Sequence, residues 1–98
     1  MDGFGNKIRC LRESQTLLLR QVAAAIEIYP ALLSKIERGE RIATKNQVLA
    51  LAAFFKIEER KLLTLWLGEK IAYEIRNEDI ANDALKVAEK QLKYNRGL

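Results

Sequence analysis

Two short helical patterns lie close together in the first half of the chain, and their spacing constrains the fold more than any other feature. The first covers residues 20–26, Arg-Gln-Val-Ala-Ala-Ala-Ile, and the second covers residues 30–38. Pro30 suits the first position of a helix, because its φ is already helical and its missing N–H needs no partner there. Gly39 follows the second pattern and predicts a C-terminal cap. With only three residues between them, the patterns predict two short helices joined by a tight turn.

Apolar residues recur at helical spacing along almost the whole chain, and no segment alternates with period two for long. Thr44 and Gln47 have the spacing of a capping box, which predicts the start of a fourth helix. Gly68 lies inside the fifth pattern, where it costs about 1 kcal/mol relative to alanine and is a candidate bend. The sequence therefore predicts an all-α protein. Its six predicted helices cover residues 5–13, 18–26, 30–38, 44–55, 57–76 and 78–94.

Composition argues against several classes of protein. The single cysteine excludes an internal disulfide, and the absence of histidine removes the common zinc spacings and the most frequent general base. The longest apolar run, residues 48–55, is too short to cross a bilayer, and the N-terminus lacks the apolar segment of a signal peptide. We therefore expect a cytoplasmic protein that is not an enzyme, has no contact with a membrane and uses no metal or cofactor.

The whole chain of 98 residues has a formal net charge of +4, and its positive charge is concentrated in the first half. Residues 1–45 contain eight Lys or Arg and five Asp or Glu, whereas residues 46–98 contain nine and eight. The half with the two short helices is thus the basic half. This balance permits a polyanionic partner without demanding one.

Residues 32–40 read Leu-Leu-Ser-Lys-Ile-Glu-Arg-Gly-Glu. Together with the preceding helical pattern, they lie in a stretch, from residue 5 to about residue 65, that resembles the Cro/cI-type helix-turn-helix family. This family of bacterial and phage regulators includes the short xenobiotic-response-element-like repressors. The resemblance implies a five-helix lambda-repressor-like domain over residues 5–66, with residues 67–98 as a C-terminal helical extension used for dimerisation.

The resemblance also implies a function and the residues that perform it. It implies a homodimer that reads an inverted repeat in double-stranded DNA with its third helix, as repressors and restriction–modification controllers do. Cations at the end of that helix and in the next loop would hold phosphates, while Ala31 and Leu32 would pack against thymine methyl groups. Lys35 and Arg38 have an alternative explanation that does not involve DNA, because the helix dipole favours cations near the C-terminal end of the third helix. The expected DNA-binding residues are Arg20, Tyr29, Ala31, Leu32, Ser34, Lys35, Arg38, Arg41 and Lys45.

The second helix and the turn after it depart from the pattern of this family. Leu18 and Leu19 stand in place of a polar cap and a phosphate-binding glutamine, a contact that Arg20 could supply instead. Glu27 replaces the glycine that is common in the turn, where a left-handed backbone costs another residue about 1–2 kcal/mol. Tyr29 stands where a Ser or Thr cap is usual.

Periodicity and the resemblance select the same core, and Trp66 is expected to anchor it. The resemblance further implies a buried or half-buried ion pair between Arg12 of the first helix and Glu37 of the third, because a buried charge needs a partner. The expected core residues are Ile8, Leu11, Leu17, Val22, Ala23, Ile26, Leu33, Ile36, Val48, Leu51, Ala52, Phe55 and Ile57.

The fourth and fifth predicted helices carry more apolar residues than this core requires. The sixth pattern is expected to cover them, either within its own chain or by crossing to a second copy, since apolar surface on this scale rarely stays in water. The expected dimer interface consists of Phe54, Leu65, Leu67, Ile71, Ile75 and Leu85. Two alternatives remain open. The chain could be the antitoxin of a toxin–antitoxin pair, or a helix-turn-helix module used for protein contact.

Overall fold

The computed structural model describes residues 3–96, and this part of the chain contains six α-helices and no β-strand. The all-α fold that the sequence predicts is therefore confirmed. The last two residues of the predicted C-terminal extension lie outside the described residues. The helices are α1 (Phe4–Ser14), α2 (Leu19–Ala25), α3 (Pro30–Glu37), α4 (Lys45–Phe55), α5 (Glu59–Ile75) and α6 (Ala81–Asn95).

The local signals at the helix ends have the predicted structure. Pro30 is the first residue of α3, and Gly39, which follows the C-cap residue Arg38, has a φ of +76°. At the start of α4, the Gln47 N–H donates to Thr44 Oγ1 over 3.2 Å, while the Thr44 N–H donates to Gln47 Oε1 over 2.9 Å. This reciprocal pair satisfies two backbone donors that the helix cannot satisfy itself. Gly68 does not interrupt α5, which continues through it to Ile75.

The start of the sixth helix was predicted three residues too early. Residues 78–80 form a turn instead, in which the Glu78 N–H donates to Ile75 O and the Ala81 N–H donates to Glu78 O. The acidic residues Glu78 and Asp79 favour a helix N-terminus, and they are the reason that the sequence pattern placed the helix start among them.

A single core joins the first five helices. Ten of the predicted core residues are buried, and Trp66 is only 8% exposed, as expected of a core anchor. Leu11, Leu17 and Ile57, which were also expected in the core, are half-buried at its edge. The core additionally includes Phe4, Ala43 and Leu62, which the sequence pattern did not predict as core residues.

α3 lies against α1 and α2, and α5 packs on α4 and α1. The contact between α1 and α3 depends on Gly5, because a Cβ at this position would lie 2.7 Å from the Glu37 carbonyl oxygen and closer still to that of Ile36. A side chain at residue 5 would therefore push α1 away from the C-terminal end of α3. Gly5 thus allows α1 to pack closely against the side of α3 that is opposite the exposed face of α3.

α6 does not cover the apolar faces of α4 and α5 within its own chain. None of its residues is buried, and it forms no extensive contact with another described helix. Leu85 and Leu92 share one side of α6 and remain 42% and 56% exposed, whereas Val87 lies on the other side and is 59% exposed. Of the two arrangements that the sequence left open, folding back onto the same chain is thus absent from the described residues. Among the helices of residues 3–96, none combines the length and apolar character that crossing a membrane requires.

Candidate nucleic-acid interface

The turn between α2 and α3 sets the angle at which α3 is presented. Glu27 adopts a left-handed conformation with a φ of +60°, at the position where the family commonly has glycine. The Ile28 N–H then donates to Ala23 O over 3.0 Å, which closes the turn onto the end of α2. The turn therefore has the tight geometry of a helix-turn-helix unit even though it lacks the glycine. The left-handed Glu27 carries the steric cost expected of a non-glycine residue there.

The start of α2 is held by Gln21, which the sequence pattern did not indicate as a cap. Leu18 offers no side-chain cap, but the Gln21 carbonyl Oε1 accepts a hydrogen bond of 2.7 Å from the Leu18 N–H. This contact replaces half of a capping box. Arg20, next to it on the first turn of α2, is exposed.

The outer face of α3 presents a mixed surface at its N-terminal end. Tyr29, the residue before the helix, is 82% exposed, and Ala31 is also exposed. Leu32 and Ser34 are half-buried, and Leu32 packs against the core. Apolar contact with a base would therefore come from Ala31 more readily than from Leu32. The Tyr29 hydroxyl adds a group that can both donate and accept hydrogen bonds.

The cations expected to hold phosphates are all exposed, and they fall into two groups. Lys35, Arg41 and Lys45 take part in no ion pair within residues 3–96, and the same holds for the neighbouring Arg20 on α2. We call these four residues together with Arg38 the cationic rim. Four of its five members thus have charges that no carboxylate of the described chain neutralises.

Arg38 differs from the other members because it has an acidic partner, Glu40, which the sequence pattern did not predict. Its Nε donates to Glu40 Oε2 over 2.6 Å, and its Nη1 donates to Ser34 Oγ over 2.9 Å. The hydrogen bond from Arg38 lowers the pKa of the Glu40 carboxyl, with a further contribution from the charge of Lys35. Both side chains of this pair are 54% exposed, so the pair is weak and a phosphate can compete for Arg38. The left-handed Gly39 between them turns the chain so that residues two apart can meet.

Behind this surface, Arg12 and Glu37 form a two-bond ion pair that joins α1 to α3. Arg12 Nε donates to Glu37 Oε2 over 2.8 Å, and Arg12 Nη2 donates to Glu37 Oε1 over 3.0 Å. Arg12 Nη1 also donates to the carbonyl of Leu17 over 2.9 Å. The side chains are only 13% and 5% exposed, and the hydrogen bond with Glu37 raises the pKa of Arg12. The structure thus brings together the two residues that the resemblance pairs.

The loop between α3 and α4, which carries Arg41, is attached to the core by Trp66. The indole N–H donates to the buried carbonyl of Ala43 over 2.7 Å. A tryptophan N–H in a core needs a polar partner, so the sequence indicated that Trp66 would have one but not which carbonyl it would be. Trp66 therefore positions the part of the cationic rim that lies on this loop.

The residues expected at a dimer interface divide into an exposed and a core-facing group. Leu67 on α5 is 49% exposed, Ile71 is 45% exposed, and Leu85 on α6 is 42% exposed. Ile75 is half-exposed at the end of α5. The remaining two expected residues are half-buried and pack against the core; they are Phe54 and Leu65.

Comparison with known proteins agrees with this geometry. A family model described as a helix-turn-helix domain matches residues 4–64, which are 61 of the 98 residues. Searches of the curated proteins and of the solved structures each found no significant match. The matched residues run from the start of α1 into the first turns of α5 and include the whole cationic rim.

Proposed function

We propose that this chain, which belongs to the helix-turn-helix domain family, binds a specific site in double-stranded DNA as a dimer and regulates transcription there. The observation that supports this most strongly is the cationic rim beside α3. Exposed cations follow the proposed recognition helix on a loop that the core holds in place. Cations placed in this way hold phosphates and fix the position of a helix in the major groove.

Sequence selectivity would come from the N-terminal end of α3. Ala31 is exposed and can pack against a thymine methyl group, and Tyr29 can form a hydrogen bond with a base edge or a phosphate. A short apolar side chain gives weaker discrimination than a bidentate hydrogen bond. We therefore expect only a modest preference for thymine at one position of each half-site, and looser preferences around it.

Selection of bound duplexes from a random pool tests this reading. Ala31→Gln should replace the thymine preference at one position of each half-site, because glutamine can form two hydrogen bonds with adenine. Ala53→Gln, an equal change at an exposed position of α4, should leave the selected sequence unchanged. A selected sequence that is the same for the parent chain and Ala31→Gln would contradict base contact by this part of α3.

The exposed apolar face of α5 and α6 supports a dimer as the binding species. A single helix-turn-helix domain covers only a half-site, and a two-fold partner supplies the second. Leu67 and Ile71 on α5, with Leu85 and Leu92 on α6, leave a large apolar surface in water in a single chain. Pairing with a second copy would bury this surface, which is the usual outcome for a patch of this kind. We therefore propose that α5 and α6 form the dimer interface.

Light scattering at micromolar concentration should give twice the chain mass of 11.2 kDa. Leu85→Glu places a charge on the apolar side of α6 and should shift the protein toward the monomer. The matched variant Asn82→Glu changes the charge equally on the polar side of α6, and it should stay dimeric. A full-length parent chain that is monomeric over the whole concentration range would contradict the dimer.

The same exposed α6 favours a second candidate function, the antitoxin of a toxin–antitoxin pair. In that case the apolar side of α6 would bind a toxin instead of a second copy. The two functions differ in their predicted outcome. An antitoxin of this kind would not dimerise by pairing α6 with a second copy when it is purified alone. It would co-purify with a small protein partner when both are produced together.

A further inference from the structure

A cavity of about 370 Å³ lies between the N-terminus of α1, the α3–α4 loop and the C-terminal half of α5. Three aromatic residues line it, Phe4 from α1 and both Trp66 and Tyr73 from α5. Its volume falls within the range of about 300–1,000 Å³ that small-molecule sites occupy, and such sites are typically apolar with a few polar groups. The DNA-binding function assigns no task to this cavity.

The mouth of the cavity is positively charged. Arg41 lines it from the α3–α4 loop, and Lys70 and Arg76 line it from α5. Lys70 Nζ lies 5.2 Å from the centroid of the Trp66 ring, and Arg76 Cζ lies 3.6 Å from that of Tyr73. No ion pair within residues 3–96 includes any of these three cations.

Glu69 is the one carboxylate that lines the cavity, and it already has a partner. It accepts a hydrogen bond from the backbone N–H of Phe4 at the start of α1. A carboxylate at a helix N-terminus is stabilised there by the helix dipole. The cavity therefore combines an apolar interior with three cations and a single acid that the start of α1 engages.

We propose that this cavity binds a small organic anion, a carboxylate attached to an apolar body. The aromatic walls would cover the apolar body, and the carboxylate would pair with Lys70 and Arg76 at the mouth of the cavity. Both cations are exposed and lie over aromatic rings, and Arg76 also donates to the Tyr73 carbonyl over 2.6 Å, which holds its guanidinium at the mouth of the cavity. A neutral ligand of the same shape gains no ion pair, and a cationic one meets three like charges.

The cavity also shares a residue with the DNA-binding surface. Arg41 lines the cavity and belongs to the cationic rim, and the loop that carries it is held by the bond between Trp66 and Ala43. An anion held by Lys70 and Arg76 would place its negative charge in the cavity that Arg41 also lines and would partly neutralise Arg41, so the ligand should weaken DNA binding. This second step rests on the proposed function. Because coupling between two ligands is reciprocal, DNA should weaken binding of the anion by the same factor.

The α5 part of the proposed dimer interface faces away from the cavity. With about 3.6 residues per helical turn, Leu67 and Ile71 lie on the side of α5 away from the side that Trp66 and Tyr73 share. A second copy on the outer side of α5 would therefore not fill the cavity. Ligand binding and dimerisation can occur in the same molecule.

Trp66 is the only tryptophan in the chain, so its fluorescence reports directly on the cavity. Titration of the full-length protein with decanoate, below its critical micelle concentration and without DNA, should give a saturable change in emission. Decan-1-ol and decylamine have the same chain length, and each should bind at least tenfold more weakly than decanoate. Lys70→Gln combined with Arg76→Gln should weaken decanoate binding at least tenfold, whereas Arg60→Gln, a matched change near the other end of α5, should leave it unchanged.

Ala72→Phe fills the cavity from an exposed position and should abolish the response, with an unchanged circular dichroism spectrum as evidence of folding. The absence of a saturable change, or equal binding of decanoate and decan-1-ol, would overturn the site. For the coupling to DNA, saturating decanoate should lower the DNA affinity of the parent chain but not that of Ala72→Phe. DNA affinity unchanged by bound decanoate would overturn the coupling. The titration contains no DNA, so its result is independent of whether the proposed function holds.

Discussion

Replacing Arg12 by alanine removes the interaction that links α1 to the recognition helix. The variant loses two hydrogen bonds to Glu37 and one to the carbonyl of Leu17, and it leaves a carboxylate whose side chain is only 5% exposed. Removing one partner of a buried ion pair typically costs about 3–5 kcal/mol, since the remaining charge stays buried without compensation. We therefore expect Arg12→Ala to lower the free energy of unfolding by about this amount.

Thermal unfolding followed by circular dichroism measures this loss. In a domain of this size each 1 kcal/mol lowers Tm by about 4–8 °C, so the expected decrease is at least about 12 °C. The pKa of Arg12 is raised above an already high ordinary value, so its share of the stability is present at neutral pH and is lost only as the pH rises through the raised pKa. The decrease in Tm should consequently be similar at pH 6 and pH 8.

Arg9→Ala is the matched control, because Arg9 lies on the same helix and pairs with Glu13 over 3.3 Å at the surface. With side chains 56% and 53% exposed, that pair contributes about 0.5 kcal/mol or less. The double variant Arg12→Met with Glu37→Leu should recover much of the loss, since no charge is then buried alone. Equal Tm values for Arg12→Ala and Arg9→Ala would refute the reasoning.

Three further predictions concern two glycines within helices, the left-handed Glu27, and the exposed pair of Arg38 and Glu40. Gly5→Ala should lower the free energy of unfolding by about 1–3 kcal/mol, because the added Cβ would collide with backbone carbonyls of α3. Gly68→Ala should raise it by about 0.5–1 kcal/mol, because a Cβ there meets nothing within 4 Å and alanine favours a helix. Equal changes for the two variants in denaturant unfolding would contradict this. Glu27→Gly should stabilise the protein by up to about 1 kcal/mol by relieving the left-handed conformation, and a lower unfolding midpoint would argue against it. Arg38→Gln should raise the pKa of Glu40 toward its ordinary value, which an NMR titration measures, and an unchanged pKa would exclude the hydrogen bond between them as its cause.

The sequence predicted the helices well because the signals at their ends are local. Pro30, Gly39 and the Thr44–Gln47 capping box each act within one helical turn, and the structure has them where the pattern placed them. The sixth helix start was wrong because acidic residues favour both a helix N-terminus and an exposed turn. The partly exposed position of Leu11 could not be predicted either, since it depends on which helix packs beside it.

The site required tertiary information that sequence spacing does not contain. The pairing of Arg38 with Glu40 depends on the turn at Gly39, and the bond from Trp66 to Ala43 joins residues 23 positions apart. The cavity is assembled from α1, the α3–α4 loop and α5, which no local pattern relates. Whether α6 folds back onto its own chain or crosses to a second copy could not be predicted, because an amphipathic helix has the same pattern whichever surface covers it.

The salt dependence of DNA binding tests the proposed function most directly. Phosphate contacts release counterions, so each lost contact should flatten the slope of log affinity against log salt by about one unit. Fluorescence anisotropy with a duplex at several salt concentrations should show a slope about two units shallower for Arg41→Ala combined with Lys45→Ala than for the parent chain. Arg60→Ala, an exposed cation on α5 outside the rim, should have the parent slope. If the double variant binds DNA with the affinity and salt slope of the parent chain, α3 and its cationic rim do not dock in the groove.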